Sequence, residues 1–305
     1  MTKLHSEEGY SIPLCCSLLG YSKQAYYKRG LNRQQSLLQE EIILQKVMEI
    51  RKQQPVIGGR KLYHLIQEQL PEELRPGRDS FFSMLRENGL LIRKTRSKHP
   101  RTTFSWHHFH LYPNLIRDMV PDGPNQIWVS DITYIRKQDG VFLYLSLVTD
   151  LYSHKIVGWN LSESLAMEGA LASLNMALEG LPQDAGLVHH SDRGIQYCSS
   201  VYTAKLKARG IKISMTQSGD PKENAVAERV NGILKQEWIN REKILSCKQA
   251  EKRMEQIINI YNTLRPHMSI DWLTPQQAHI KKGKIERRWK AYYKNKERGS
   301  KYKRK

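Results

Sequence analysis

The chain has 305 residues, a mass of 35.6 kDa, 39% hydrophobic residues and a formal net charge of +19. That length suits about two domains at roughly 150 residues each, and no stretch approaches the roughly 18 consecutive apolar residues of a membrane span. Cys15, Cys16, Cys198 and Cys247 form no CxxC pair, and Glu7 and Glu8 stand where a signal peptide wants positive charge. A reducing, cytoplasmic setting is therefore expected, and secretion is not.

Charge is unevenly placed. Residues 1–120 hold 19 basic and 11 acidic side chains, residues 121–280 hold 17 of each, and residues 281–305 hold 13 basic and 2 acidic. A neutral middle between basic flanks fits a catalytic core held on a polyanion.

Taken in order, Leu14, Leu18 and Leu19 have helical spacing, Gly20-Tyr21 breaks the helix, and Ser22 caps a second helix from Lys23. This small helix-turn-helix, residues 1–35, would offer Lys23, Lys28 and Arg29 to phosphates or base edges. A third helical pattern runs from Leu37 to Arg51. A fourth, from Arg60, sets Leu62, Leu65, Ile66 and Leu70 on one face, and a fifth starts near Phe81 and ends at Asn88-Gly89. The segment 36–100 thus reads as a second all-α, helix-turn-helix-like DNA-binding region, and its basic end, with Arg93, Lys94 and Arg96, could track a nucleic-acid backbone. Residues 101–120 read as a linker. His99, His107, His108 and His110 have no cysteine at ligand spacing, so a zinc site is not expected.

From Pro121 the pattern changes. Segments 127–135, 141–149 and 155–161 are β-branched and aromatic with short turns between them, which predicts an antiparallel meander. A helix over about 163–179, a short strand 187–190, a helix 201–209, a strand 211–215 and a long helix over about 221–240 follow. The order βββαβαβα, over residues 121–280, predicts an α/β fold of ribonuclease-H-like type, a mixed sheet flanked by helices. A basic C-terminal tail, 281–305, completes the chain.

Three acids occupy informative places in that order. Asp131 lies mid-strand among apolar neighbours, where a lone carboxylate is costly unless it binds a cation. Asp192 follows the fourth strand, and Glu228 sits on the final helix, 35 residues further on. Three hard oxygen donors converging from two strands and a helix would hold two Mg²⁺ ions, with Mn²⁺ a substitute. Helical rotation places Lys235 about 20° from Glu228, with Asn231 near the same face and Val226, Val230 and Ile233 opposite; Lys235 and Asn231 are therefore candidate DNA contacts. Glu223 is a rival ligand, about 140° from Glu228 on a regular helix. Asp150 reads as a turn residue. His189 and His190 could position DNA or water, or serve as strand-end structural histidines.

The motifs Trp128-Val-Ser-Asp131-Ile-Thr-Tyr134, His190-Ser-Asp192-Arg-Gly-Ile-Gln-Tyr197 and Asn224-Ala-Val-Ala-Glu228-Arg-Val-Asn-Gly-Ile-Leu-Lys235 resemble the DDE core of integrase-type transposases. So do Tyr261-Asn262, Arg265-Pro266-His267 and Thr274-Pro275. The resemblance is to the second-frame (OrfB) proteins of the bacterial IS-three insertion-sequence family. His154, where the family has arginine, and Glu223, where it has aspartate, depart from that pattern. The resemblance implies a Mg²⁺-dependent polynucleotidyl transferase in which Asp131, Asp192 and Glu228 hold two metals. A strand end released by hydrolysis would attack a second phosphodiester. It also implies terminal-repeat and target DNA as partners, a homo-oligomer on DNA, a nucleoid-associated location and an upstream first-frame protein, separate or fused. The competing expectations are a non-catalytic DNA-binding regulator and a nuclease that never joins strands.

Overall fold

The computed structural model describes residues 9–92, 109–182, 186–217 and 221–285, leaving aside the side chains of Pro221 and Lys222. The basic segment with Arg93, Lys94 and Arg96, three of the four linker histidines and residues 286–305 lie outside these. The chain divides into two compact units, residues 1–53 with 57–93, and residues 54–56 with 94–305.

In the first unit, α1 (Ile12–Leu18) begins at Ser11, whose Oγ accepts from Leu14 N at 3.4 Å. The side chain of Ser22 accepts from Ala25 N at 3.1 Å and starts α2 (Lys23–Gln53) as expected. One expectation fails here. The separate helices from Lys23 and from Leu37 are one helix of 31 residues, which runs on through Gly30 and the polar stretch 32–36. A domain boundary at residue 35 would fall inside it. On α1 the leucines face outward and Cys15 and Cys16 are the buried pair, so the leucine spacing does not mark a core face. The unit's core joins Ile43, Val47 and Ile50 of α2 to Leu62, Leu65 and Ile66 of α3 (Gly59–Gln69) and to Phe81, Met84 and Leu85 of α4 (Arg78–Glu87). Gly89, at φ 66°, ends α4 in the left-handed conformation that glycine adopts without strain.

The second unit is built on a five-stranded sheet, β1 (Ile127–Arg136), β2 (Phe142–Asp150), β3 (Ile156–Ser162), β4 (Val188–Ser191) and β5 (Lys212–Met215), in spatial order β3-β2-β1-β4-β5. The first three strands are antiparallel, and β4 and β5 join β1 in parallel. On one face α5 (Met167–Glu179), α6 (Ile195–Cys198) and α7 (Ser200–Ala208) bury Leu174, Tyr197 and Tyr202 against Trp128, Val148 and Met215. On the other, α8 (Ala225–Glu237) and α9 (Cys247–Thr263) bury Val230, Ile233 and Ile257 against Leu143, Leu145 and Leu147. A last short helix, α10 (Pro275–His279), starts in a capping box made by Thr274 and Gln277.

Helix α5 starts later than expected because Ser162 and Ser164 accept from the backbone N–H groups of Ser164 and Ala166, holding a turn there. The expected long helix over 221–240 is shorter, with 3₁₀ turns at Pro221–Asn224 and Ile239–Arg241 on either side of α8. The sheet order, strand directions and helices on both faces are those of a ribonuclease-H-like integrase core, preceded by an all-α region.

Candidate active site

The sheet register sets two of the three acids side by side. The parallel ladder between β1 and β4 ends at the pair Ser130 and Ser191, so Asp131 and Asp192 are each the next residue on adjacent strands. Beyond them β1 continues against β2 alone, with Asp131 opposite Leu147. A parting of parallel neighbours at their carboxyl ends opens the crevice where sites of open α/β sheets form.

Helix α8 closes the crevice, and asparagines fix its place. Asn224, just before its first turn, donates through Nδ2 to Ser130 O at 3.0 Å, and Asn231 donates to Asp131 Oδ2 at 2.8 Å. Between them on the helix stands Glu228, whose side chain is exposed. Asn231, expected at the DNA, is instead buried and spends its amide on the first acid; at about 60° from Glu228 it sits at the edge of the buried face.

The electrostatics follow from this crowding. Burial, then the charges of Asp192 and, less strongly, Glu228, push Asp131 up to about 7, while the Asn231 and Ile132 hydrogen bonds oppose the shift. Burial raises Asp192, partly offset by the Gly194 N–H that its Oδ1 accepts at 2.9 Å. Lys235 is lowered by burial and raised by Asp131, which brings its ammonium into the field of the same carboxylate. Asp131 and Asp192 are thus crowded where water is scarce, with the exposed Glu228 adding a weaker like charge, and a divalent cation is the partner whose charge would relieve them. Their oxygens suit Mg²⁺ in kind. Among the described residues no three His, Cys, Asp or Glu side chains lie close enough together to hold an ion as they stand.

Behind the acids both histidines of the fourth strand are hydrogen-bonded within the core. His190 Nε2 meets Glu223 O at 3.1 Å and Nδ1 meets Ser214 Oγ at 2.8 Å. A carbonyl only accepts, so Nε2 carries the proton and Nδ1 accepts from Ser214, whose Oγ accepts in turn from Leu115 N at 2.9 Å. Burial pushes His190 down to about 4, which keeps that neutral tautomer. The ring thereby ties the strand of Asp192 to the turn that launches α8. His189 Nε2 lies 2.8 Å from Ser130 Oγ and 3.0 Å from Tyr202 OH, and burial pushes it down to about 3. Both are structural. Glu223 lies on the 3₁₀ turn and its carboxylate accepts from Gln217 N, away from the rival role. Asp150 is a buried turn residue, accepting from Ser153 N, Ser153 Oγ and Asn125 N.

The C-terminal motif residues brace the sheet instead of entering the crevice. Asn262 pairs with edge strand β3 like another strand, accepting from Ile156 N and donating to Ile156 O, both at 3.0 Å. Tyr261 OH donates to His154 O. Arg265, buried, makes a bidentate pair with Glu237 at 2.6 and 2.7 Å, anchoring the end of α8. Lys23, Lys28 and Arg29 are exposed on α2, in the other unit.

Integrase core domain family models match residues 121–221 and 209–275. The chain is 31% identical over 297 residues to the transposase for insertion sequence element IS629 of Shigella sonnei, covering 94% of each. It is 35% identical over 199 residues to transposase InsF for insertion sequence IS3A of Escherichia coli K12, covering 65% of this chain and 68% of that one. The HTLV-2 integrase catalytic core domain in complex with magnesium is similar in structure at 19% identity and a TM-score of 0.41, over 52% of this chain and 97% of that one.

Proposed function

This chain belongs to the IS3 family of insertion-sequence transposases, and from that premise we propose that it cuts DNA at the element's ends and joins the released 3′ ends to target DNA by Mg²⁺-dependent phosphoryl transfer. The observation that carries the reading is the sheet register that sets Asp131 beside Asp192 next to the helix of Glu228; burial, then the charges of Asp192 and Glu228, raises the Asp131 carboxyl to about 7. These three residues would hold two Mg²⁺ ions, which when bound supply Lewis-acid stabilisation of the attacking and leaving oxygens.

The rest of the site is the chain's own work. Asn231 fixes the carboxylate of Asp131 by donating to Oδ2, while Oδ1 accepts from Ile132 N at 3.0 Å. Lys235 presents an ammonium beside that carboxylate, suited to a phosphate of the strand being cut. Asn224 and His190 hold the start of the helix that carries Glu228. Lys23, Lys28 and Arg29, with Arg93, Lys94 and Arg96, would contact terminal-repeat DNA through phosphates. Transfer between two ends calls for at least two copies on DNA, and an upstream first-frame protein, separate or fused, would add end recognition. The setting that fits these partners is the bacterial nucleoid.

The test is incubation of purified protein with Mg²⁺ and DNA carrying the gene's own flanking ends, beside Asp192→Asn. Joined strands from the wild type alone support the reading. Joining that persists in Asp192→Asn overturns the ligand assignment, and nicks without joining indicate a nuclease.

A further inference from the structure

Helix α2 has two apolar faces, and only one is used. At 100° per residue, Ile43, Val47 and Ile50, which build the first unit's core, lie about 100–160° around the helix from Leu31. Tyr27, Leu31, Leu38 and Ile42 fall together within about 60° of one another. They are exposed by 56, 61, 61 and 42%. Single exposed leucines need no explanation, but four aligned over about 23 Å of one helix face make a stripe of the kind that seals against another helix.

Two features of the stripe identify its occupant. The first is spacing. Leu31 and Leu38 are equidistant in sequence from the Gln34–Gln35 bond, and so are Tyr27 and Ile42. Such a row is its own complement when a second copy runs in the opposite direction. The second is charge. Residues 23–34 contain Lys23, Lys28, Arg29 and Arg33 and no acid, whereas residues 35–49 contain Glu40, Glu41 and Glu49 against Lys46 alone. Antiparallel pairing about that bond sets Lys28 and Arg29 level with the partner's Glu41 and the partner's Glu40, with Lys23 level with the partner's Lys46, and opposes the helix dipoles. Parallel pairing would set four cations beside four cations.

We propose that α2 is a self-association surface, on which a second copy of this chain docks its own α2 antiparallel across a two-fold axis at Gln34–Gln35. Leu31 then packs on Leu38 of the partner subunit and Tyr27 on Ile42 of the partner subunit, an isologous contact. Arg29 lies about 160° from Leu31 and stays clear of the seam.

The pairing is tested in the full chain by mixing Leu31→Cys protein with Leu38→Cys protein and treating the mixture, each variant alone and the wild type with a short bismaleimide. Native cysteines are common to all four samples, so the wild type sets the background. The expected result is a covalent dimer in the mixture and only background in either variant alone, with unchanged circular dichroism because both positions are exposed. No dimer above background in the mixture overturns the proposal. Dimer formation by either variant alone also overturns it, since that reports a parallel or unspecific contact. DNA is left out of every sample, so the result is independent of whether the protein joins strands.

Discussion

Asn231 Nδ2 and Asp131 Oδ2 are 2.8 Å apart, across the join between the helix of the third acid and the strand of the first. That hydrogen bond favours the charged carboxylate, against burial and two like charges. It also ties the rotation of α8 to β1, and so fixes where Glu228 starts from.

Replacing Asn231 with Ala removes the hydrogen bond and leaves the acids in place. A hydrogen bond to a charged group contributes about 1.5–3 kcal/mol, so strand joining should fall roughly 10- to 100-fold. Losing a bond that lowers the pKa moves the acid limb of the pH–rate profile to higher pH. Wild-type joining with an unmoved profile would mean that Asn231 does nothing for Asp131.

The raised Asp131 makes a stability prediction with a definite sign. Its folded pKa of about 7 lies above the ordinary 3.8, so between those values the folded protein holds a proton that the unfolded chain has released. Stability from this group is therefore greatest at low pH and declines as pH rises through that window, levelling off above about 7. Buried Asp192, also raised, acts in the same sense. In chelator, Asp131→Asn should melt at a higher temperature than wild type at pH 8, and the gap should narrow toward pH 5. Added Mg²⁺ should raise the wild-type melting temperature at pH 8 more than that of the variant. Equal responses of the two proteins to Mg²⁺ would remove Asp131 from the metal site.

All five strands were legible in the sequence to within a residue or two, because β-branched and aromatic runs between short turns leave few alternatives. The three acids were singled out by their places on two strands and a helix and by the motifs around them, and the register of β1 on β4 sets Asp131 beside Asp192. Asn231 was misread since rotation from Glu228 alone cannot locate the edge of a buried face, which depends on how α8 packs against β1. His190 was open between two roles, and the partners that decide it, Ser214 and the Glu223 carbonyl, are 24 and 33 residues away. On α1 the leucine spacing marked the helix but not the residues it buries, Cys15 and Cys16.

His190 is the second hold on α8. His190→Ala leaves Ser214 and the Glu223 carbonyl without their shared partner, a cost of about 2–4 kcal/mol if both bonds are lost and neither group is resolvated. The chemical unfolding midpoint should drop accordingly. Joining should fall with the apparent Mg²⁺ requirement increased, because the helix start that carries Glu228 loosens. A drop in stability with an unchanged Mg²⁺ requirement would confine His190 to the fold.

The far end of α8 is held by the pair of buried Arg265 and part-buried Glu237. Removing one partner of such a pair leaves an uncompensated buried charge and typically costs about 3–5 kcal/mol. Glu237→Ala should therefore lower the urea midpoint steeply, and adding Arg265→Met should recover much of the loss by withdrawing the stranded guanidinium. If the double variant is no more stable than Glu237→Ala, the single defect is lost packing and not the orphaned charge.

Gly158 is where β3 and α5 meet most closely. A Cβ added there would run into the main-chain oxygen of Ser173 and would come to 2.9 Å from the N and Cβ of Ala177. Two of those obstacles are backbone, so no rotamer change relieves them; strand and helix must move apart, and with them the packing of Leu174 against Val148. Overpacking of this kind costs typically about 1–3 kcal/mol, and more where backbone must shift. Gly158→Ala should sharply reduce soluble yield and the unfolding midpoint. Adding Ala177→Gly removes the Cβ contact alone and should restore little, because the Ser173 carbonyl remains in the way. Full recovery by that second change would show that side-chain crowding, and not the approach of the two backbones, sets the distance between β3 and α5.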